Sequence, residues 1–233
     1  MVAPVLVAVA VVTASMTVKS DTKPVTVYVK KPRGTLYWGG AGLDGPYIQP
    51  QLQAFLAAGI QHVSVGLSNS ATKTVPGFAG TLIDAMRSGL TVRYEDSSEW
   101  TIASGMSNDS KQFNLVGYSY GSLLAAQTAN SYAKQGHVVD HLVLIGSPID
   151  KDFLAVLQAQ KNIKKVTVIN LKHVGDPLYA GMTQFELTAA SPQLGIDMMA
   201  NKGEGHFYYA HVVSDSPQRW KALAQKLYAE GLR

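Results

Sequence analysis

Short apolar runs alternate with longer stretches of helical periodicity along most of this chain. Runs rich in Val, Ile, Leu and aromatic residues predict strands at 25–29, 35–38, 62–67, 113–116, 142–145 and 166–171. Apolar residues at helical spacing predict helices at 48–58, 80–87, 122–135, 153–160 and 217–230. Strands and helices that alternate in this way form a mostly parallel sheet covered by helices on both faces. The pattern therefore predicts an α/β fold in one domain.

The first eighteen residues carry no charged side chain and consist mainly of Val and Ala. A secretory signal normally begins with a basic region, whereas the first lysine here is Lys19. The run is also short and interrupted by polar residues, so a full membrane span is marginal. Three interpretations stay open: an atypical signal or anchor, a segment that touches lipid, and a pair of extra strands. The first two are compatible with secretion or membrane association. We divide the chain into this apolar segment, residues 1–24, and a single domain, residues 25–233.

Composition excludes several classes of protein. With 233 residues, 46% of them hydrophobic and 15% charged, the chain is a globular protein with one substantial core. It has no cysteine, which excludes disulfides, thiolate nucleophiles and cysteine-rich zinc sites. The formal charge of +4 is scattered and forms no basic run with interleaved aromatic residues, so no nucleic-acid partner is expected. Contact with an anionic surface such as acidic lipid fits this charge.

Residues 117–121, Gly-Tyr-Ser-Tyr-Gly, join the apolar run at 113–116 to a helical stretch. Gly-x-Ser-x-Gly between a strand and a helix is the pattern of a nucleophile elbow, where the serine lies on a sharp, strained turn. The positions two before and two after the serine must be nearly free of side chain, and both are glycine. The alternative is a glycine-rich turn with a surface serine. The flanking strand and helix favour Ser119 as a nucleophile.

A serine nucleophile needs a base, and the base needs an acid that orients it. In this architecture both follow the serine in sequence. Asp176 lies in a Gly-Asp-Pro turn beyond the last predicted strand and is the candidate acid, with Asp150 as the alternative. His206, between glycines and aromatic residues ahead of the last helix, is the candidate base, with His211 as the alternative. The alternative interpretation is that Asp176 only forms a turn and that His206 is only a packed side chain. The other histidines are predicted to be structural or at the surface: His62, His137, His141 and His173.

A developing oxyanion needs hydrogen-bond donors beside the serine. Tyr120 follows Ser119 at the start of the predicted helix, so its backbone N–H is one candidate donor. The glycine-rich loop after an early strand, residues 38–42, supplies the other, from Gly40 or Ala41. The alternative is that these glycines only make a turn.

With these motifs the chain resembles the α/β-hydrolases from about residue 25 to the C-terminus. Residues 117–121, the Gly-Asp-Pro turn and His206 with its following tyrosines are similar to the cutinase-like lipases and esterases, while the early glycine loop is similar to that of bacterial lipases. The resemblance implies a mostly parallel central sheet with helices on both faces and little or no cap domain. It also implies an ester hydrolase with Ser119 as nucleophile, Asp176 as acid and His206 as base, working without a metal or organic cofactor.

Three functions stay open. The first is a serine esterase acting on lipid esters, as a lipase or phospholipase does. The second is a thioesterase or acyltransferase on the same triad, and the third is a binding protein of this fold with a broken triad. Irregular residues 68–111 are the expected site of loops that contact the substrate. Adaptable apolar residues between acid and base suit an acyl chain or belong to the core: Leu178, Tyr179, Met182, Phe185, Leu187, Met198 and Met199.

Overall fold

Five strands form one parallel sheet within the part of the chain that the structure describes. The structure is a computed structural model and describes residues 28–29, 33–40, 45–66, 101–102, 110–200 and 202–233. Its strands, in chain order, are β1 (Tyr28–Val29), β2 (Gly34–Trp38), β3 (Val63–Val65), β4 (Thr101–Ile102), β5 (Phe113–Tyr118), β6 (His141–Ile145) and β7 (Val166–Ile169). The main sheet has the order β3-β2-β5-β6-β7, and all neighbours run parallel. The predicted fold class, an α/β-hydrolase with a parallel central sheet, is confirmed.

A second, small sheet consists of β1 and β4, which pair in parallel. Of the strand predicted at 25–29, the structure describes only β1. Strand β4 belongs to the segment 68–111, for which the sequence predicts loops. The predicted helix at 80–87, most of that segment and the apolar segment 1–24 lie outside the described residues.

Five α-helices accompany these strands in the described part of the chain. They are α1 (Ile48–Ala57), α2 (Tyr120–Lys134), α3 (Lys151–Ala159), α4 (Gln184–Ala200) and α5 (Ser216–Ala229). Four of them lie within two residues of their predicted bounds, because each has a clear apolar periodicity. The exception is α4, which the periodicity does not predict.

Two apolar cores lie on the two faces of the main sheet, because side chains alternate along each strand. One core joins Leu36, Leu115 and Leu144 to residues of α2 and α3. The other joins Tyr37, Val116 and Tyr118 to residues of α1 and α5. Both faces of the sheet are therefore covered, as the near-continuous apolar strands require.

The strand order reverses between β2 and β5. After β2 the chain continues through α1 to the edge strand β3, whereas after β5 it continues through α2 to β6 on the other side. The loops that follow β2 and β5 therefore diverge at the carboxyl edge of the sheet. Open α/β sheets bind their ligands in the crevice that such a reversal creates.

Helix α4 begins with a capping box that sequence periodicity does not detect. The Thr183 N–H and hydroxyl both donate to Glu186 Oε2, at 2.8 and 2.7 Å, and the Glu186 N–H donates to Thr183 Oγ1 at 3.3 Å. The Tyr179 hydroxyl also donates to this carboxylate, at 2.7 Å. These hydrogen bonds, those from Thr183 first, lower the pKa of Glu186 to about 2. The spacing Thr-x-x-Glu is the signal from which this helix start could have been found.

Removing the charge of Glu186 should change how stability depends on pH. The pKa of this carboxyl is lower in the folded protein than in the unfolded chain. Its contribution is therefore fully present above the unfolded pKa of about 4.3 and is lost as the pH falls toward about 2. We expect Glu186→Gln to be less stable than the wild type at about pH 7, with the difference shrinking below about pH 4. Urea unfolding of both proteins at several pH values measures this, and a difference independent of pH would contradict it.

Candidate active site

Ser119 lies at the end of β5, on the turn that begins α2. Its backbone has φ 53° and ψ −123°, a conformation that residues other than glycine rarely adopt. Among the described residues other than glycine, only Ser119 and His62 have a positive φ. Its N–H donates to the carbonyl of Ile145 at 2.9 Å, which fastens the turn to the neighbouring strand β6. The serine therefore has the strained geometry expected of a nucleophile elbow.

The two glycines of the motif are required by close backbone contacts. A methyl group on Gly117 would overlap the backbone of Gly121 and Ser122, where α2 starts. A methyl group on Gly121 would overlap the carbonyl groups of Gly39 and Trp38, at the end of β2. These contacts bring the loop after β2, the serine turn and the first turn of α2 together.

We expect Gly121→Ala to destabilise the protein by roughly 3 kcal/mol, because backbone atoms must move to admit the methyl group. The control is Gly136→Ala at the end of α2, where φ is +90° but no atom lies within 4 Å of the added carbon. It should cost only the conformational term, about 1 kcal/mol. Denaturant unfolding of both variants gives the comparison. Equal losses would mean that the contact with the β2 loop relaxes at no cost.

His206 is held directly against Ser119. It lies in a short 3₁₀ turn, Gly205–Phe207, and its Nε2 is 2.7 Å from Ser119 Oγ. The imidazole is 5% exposed and stacks on the ring of Tyr118, with centroids 5.8 Å apart. The Tyr118 hydroxyl donates to the backbone carbonyl of His206. Burial raises the pKa of Tyr118, so this hydroxyl keeps its proton and remains a donor.

Asp176 completes a chain of hydrogen bonds. Its Oδ2 is 3.0 Å from His206 Nδ1, and its Oδ1 accepts the N–H of Leu178 at 2.8 Å. The residue is 3% exposed and follows Gly175, whose φ of +90° ends a short 3₁₀ turn. The second hydrogen bond fixes the carboxylate plane, so that Oδ2 points at the histidine. The structure thus brings Ser119, His206 and Asp176 together. Proton transfer from serine to histidine, with the carboxylate stabilising the resulting cation, is the chemistry open to such a chain.

The alternative acid and base have other places in the fold. Asp150 precedes α3, and its Oδ1 accepts the N–H of Phe153 at 2.8 Å as a helix cap. His211 stacks on Phe207 with centroids 4.7 Å apart, and its Nδ1 accepts the N–H of Gly203 at 3.4 Å. A broken triad would require His206 and Asp176 to lie apart, which their 3.0 Å distance does not support.

Of the three residues predicted to donate to the oxyanion, the structure describes two, and these have different positions and partners. Tyr120 begins α2, so its N–H lies in the first turn, at the positive end of the helix dipole. Ala41 lies outside the described residues. Gly40 is close to Ser119, but its N–H donates to the hydroxyl of Tyr47 at 2.6 Å. No sequence motif places a tyrosine just before α1, so a role for Tyr47 was not predicted.

The apolar residues between acid and base mostly belong to a small core of their own. Leu178, Met182 and Leu187 are buried together with Ala190 and Leu194. Tyr179 is partly buried against them and lies under the Lys172 ammonium group, which is 3.4 Å from the ring centroid. Phe185 differs: it lies in the first turn of α4 and is 82% exposed. The side chains of Met198 and Met199 are outside the described residues.

Neither a metal site nor a membrane-spanning helix occurs within the described ranges. No group of three or more His, Asp or Glu side chains placed to hold a metal ion occurs within the described residues. Among the helices of the described part of the chain, none combines the length and apolarity needed to cross a bilayer.

Comparison with known proteins gives one match. The family model described as "Thioesterase domain" matches residues 106–189, which include β5, the serine turn, α2 and the Asp176 turn. No curated protein and no solved structure matches the chain. The cutinase-like and lipase-like features therefore remain predictions. The chain has the α/β-hydrolase fold, and its central part is similar to thioesterase domains.

Proposed function

We propose that the protein is a serine hydrolase that cleaves acyl thioesters or carboxylic esters through an acyl-enzyme on Ser119. The observation that carries this proposal is the buried chain from Ser119 Oγ to His206 Nε2 and from His206 Nδ1 to Asp176, at 2.7 and 3.0 Å. It lies on a strained turn at the point of the sheet where strand order reverses. Structural hydrogen bonds do not require a serine in a strained conformation.

In the first half of the reaction His206 takes the proton of Ser119 as Oγ attacks the acyl carbonyl carbon. The carbonyl oxygen becomes an oxyanion, held by hydrogen-bond donors that include the Tyr120 N–H. The tetrahedral intermediate collapses, the bond to the leaving thiol or alcohol breaks, and His206 returns the proton to that group. The product is an acyl ester of Ser119.

In the second half a water molecule repeats the sequence. His206 takes a proton from the water as its oxygen attacks the acyl-enzyme, and then gives the proton back to Ser119 Oγ. The carboxylic acid leaves and the free enzyme is restored. Asp176 orients the imidazole through Nδ1 and stabilises its cation in both halves.

Two leaving groups are favoured by different observations. The match to thioesterase domains over residues 106–189 favours a thiol. A lipid alcohol, as in lipases and phospholipases, is favoured by the exposed Phe185 in the first turn of α4 and by the net charge of +4, which suits an anionic lipid surface. Acyltransfer to an alcohol in place of water uses the same acyl-enzyme.

Covalent labelling and substrate comparison test the proposal together. A fluorophosphonate should add one adduct to the intact protein, and peptide mass mapping should locate it on Ser119. A series of p-nitrophenyl esters should then show which acyl chain length is preferred. At that chain length, kcat/KM should be compared for acyl-coenzyme A, the p-nitrophenyl ester and phospholipid vesicles. A higher kcat/KM for the thioester supports the thioesterase, and a higher value for vesicles supports the lipase. Absence of both an adduct and hydrolysis would contradict a serine hydrolase.

A further inference from the structure

A tyrosine hydroxyl accepts the hydrogen of the backbone amide that was predicted to be an oxyanion donor. The Gly40 N–H donates to Tyr47 Oη at 2.6 Å, and this hydrogen bond is buried. An amide has a single hydrogen. With Tyr47 in this position, Gly40 does not also donate to a substrate oxygen.

The hydroxyl of Tyr47 and the side chain of Ser119 flank the same point beside Gly40. A methyl group placed on Gly40 would lie 3.4 Å from Tyr47 Oη, 3.5 Å from the Tyr118 ring and 3.6 Å from Ser119 Cβ. These three side chains therefore surround one point next to the nucleophile. A methyl group on Gly39 would lie 2.7 Å from Tyr47 Oη. The paired glycines after β2 thus leave the space that this hydroxyl fills.

The ring of Tyr47 is held firmly enough to fix its hydroxyl. Tyr47 is 5% exposed and directly precedes α1. Its ring meets that of Tyr118 edge to face, with centroids 5.9 Å apart, and Tyr118 in turn stacks on His206. Ring contacts therefore run from Tyr47 through Tyr118 to His206, the candidate base.

We propose that Tyr47 is a catalytic residue whose hydroxyl donates a hydrogen bond to the oxyanion formed on Ser119. This inference rests on the proposed function. The Tyr120 N–H is the other donor, and the Gly40 N–H orients Tyr47 by donating to its oxygen. No bond to hydrogen is broken in this role: the proton stays on Tyr47 throughout.

Physical chemistry favours a phenol in this position. A tyrosine has an ordinary pKa of about 10, so it carries its proton at neutral pH and donates to a developing negative charge. Accepting the Gly40 N–H polarises the O–H group and strengthens its donation. Burial among aromatic rings lowers the local dielectric, which increases the stabilisation of the oxyanion further.

Tyr47→Phe removes the hydroxyl and keeps the ring. We expect kcat to fall by about 10²- to 10³-fold, the usual cost of one lost oxyanion donor, with KM little changed. A trifluoromethyl ketone, which forms a tetrahedral adduct with serine, should lose affinity by a similar factor. The matched control is Tyr37→Phe, which removes another buried hydroxyl of the same core, one that donates to Gln51 at 2.6 Å. This control should keep both kcat and the inhibitor affinity.

Two outcomes would overturn the proposal. One is a Tyr47→Phe enzyme with unchanged kcat and inhibitor affinity. The other is a faster enzyme, which would mean that Gly40 binds the oxyanion itself and that Tyr47 only covers it. In either case a wild type that hydrolyses acyl substrates and forms the fluorophosphonate adduct leaves the serine hydrolase standing. Failure of the wild type in both assays refutes the hydrolase instead.

A second variant covers the case in which Tyr47→Phe does not fold. Difluorotyrosine at position 47 keeps the shape of the side chain but lowers the pKa of the phenol. Loss of its proton removes the donor, so the alkaline decline of kcat should begin at a lower pH than in the wild type. An unchanged pH profile would contradict a donating role.

Discussion

Ser119→Ala should lower kcat by about 10⁶-fold, the effect typical of removing the nucleophile of a serine hydrolase. The fold should remain, because the turn is held by a backbone hydrogen bond to Ile145 and by glycine contacts, and neither involves the hydroxyl. The measurements are kcat on the best acyl substrate, fluorophosphonate labelling and the unfolding midpoint. Retained hydrolysis with an unlabelled protein would place the nucleophile elsewhere.

Comparing Ser119→Gly with Ser119→Ala measures the free energy of backbone strain at this residue, because both variants lack the nucleophile. The φ of 53° at this residue is accessible to glycine without penalty, whereas alanine keeps the strain. We expect the glycine variant to be inactive yet more stable than the alanine variant by about 1 kcal/mol. Equal stabilities of the two variants would contradict a strained turn.

Asp176→Asn should lower kcat by about 10⁴-fold with little change in KM. An asparagine in this position presents either an amide N–H₂ or a carbonyl to His206 Nδ1, and it carries no charge to stabilise the imidazolium. The present carboxylate is held at 3.0 Å from Nδ1 and receives the Leu178 N–H at 2.8 Å. Steady-state kinetics from about pH 5 to 9 should show the loss across the whole range.

Asp150→Asn is the matched control for that variant. Asp150 is the other acid that the sequence offers, and its carboxylate caps α3 through the Phe153 N–H. Asparagine caps a helix about as well as aspartate does, so stability and kcat should both stay near wild type. A large loss of kcat in Asp150→Asn with a small loss in Asp176→Asn would mean that Asp150 is the catalytic acid and Asp176 is not.

Much of the fold and of the candidate site could be predicted from local sequence motifs and from the order of strands and helices. The serine turn could be located because steric contacts at residues 117 and 121 admit only glycine, which leaves a visible motif. The positions of Asp176 and His206 followed from the order of elements, since each loop comes after a recognisable strand or before a recognisable helix. The structure brings these three side chains within hydrogen-bonding distance of one another.

Other features depend on contacts that local patterns do not encode. Helix α4 contains Pro192, a residue that normally ends a helix, so the sequence does not predict it. Strand β4 has only two residues and exists by pairing with β1, which is distant in sequence. The hydrogen bond from the Gly40 N–H to the Tyr47 hydroxyl joins the end of β2 to the start of α1. Neither stretch carries a sequence motif that predicts this hydrogen bond.

Tyr118 gives the site a further property. Its side chain extends from β5, contacts Tyr47 on one side and holds the ring and the carbonyl of His206 on the other. The base is thus anchored to the central strand as well as to its own loop. Helix α4 packs against the 3₁₀ turn that carries His206, so a change in α4 reaches the loop of the base but not its anchor on β5. For protein engineering, Tyr118 is therefore a position to keep fixed while the segments around the site are varied.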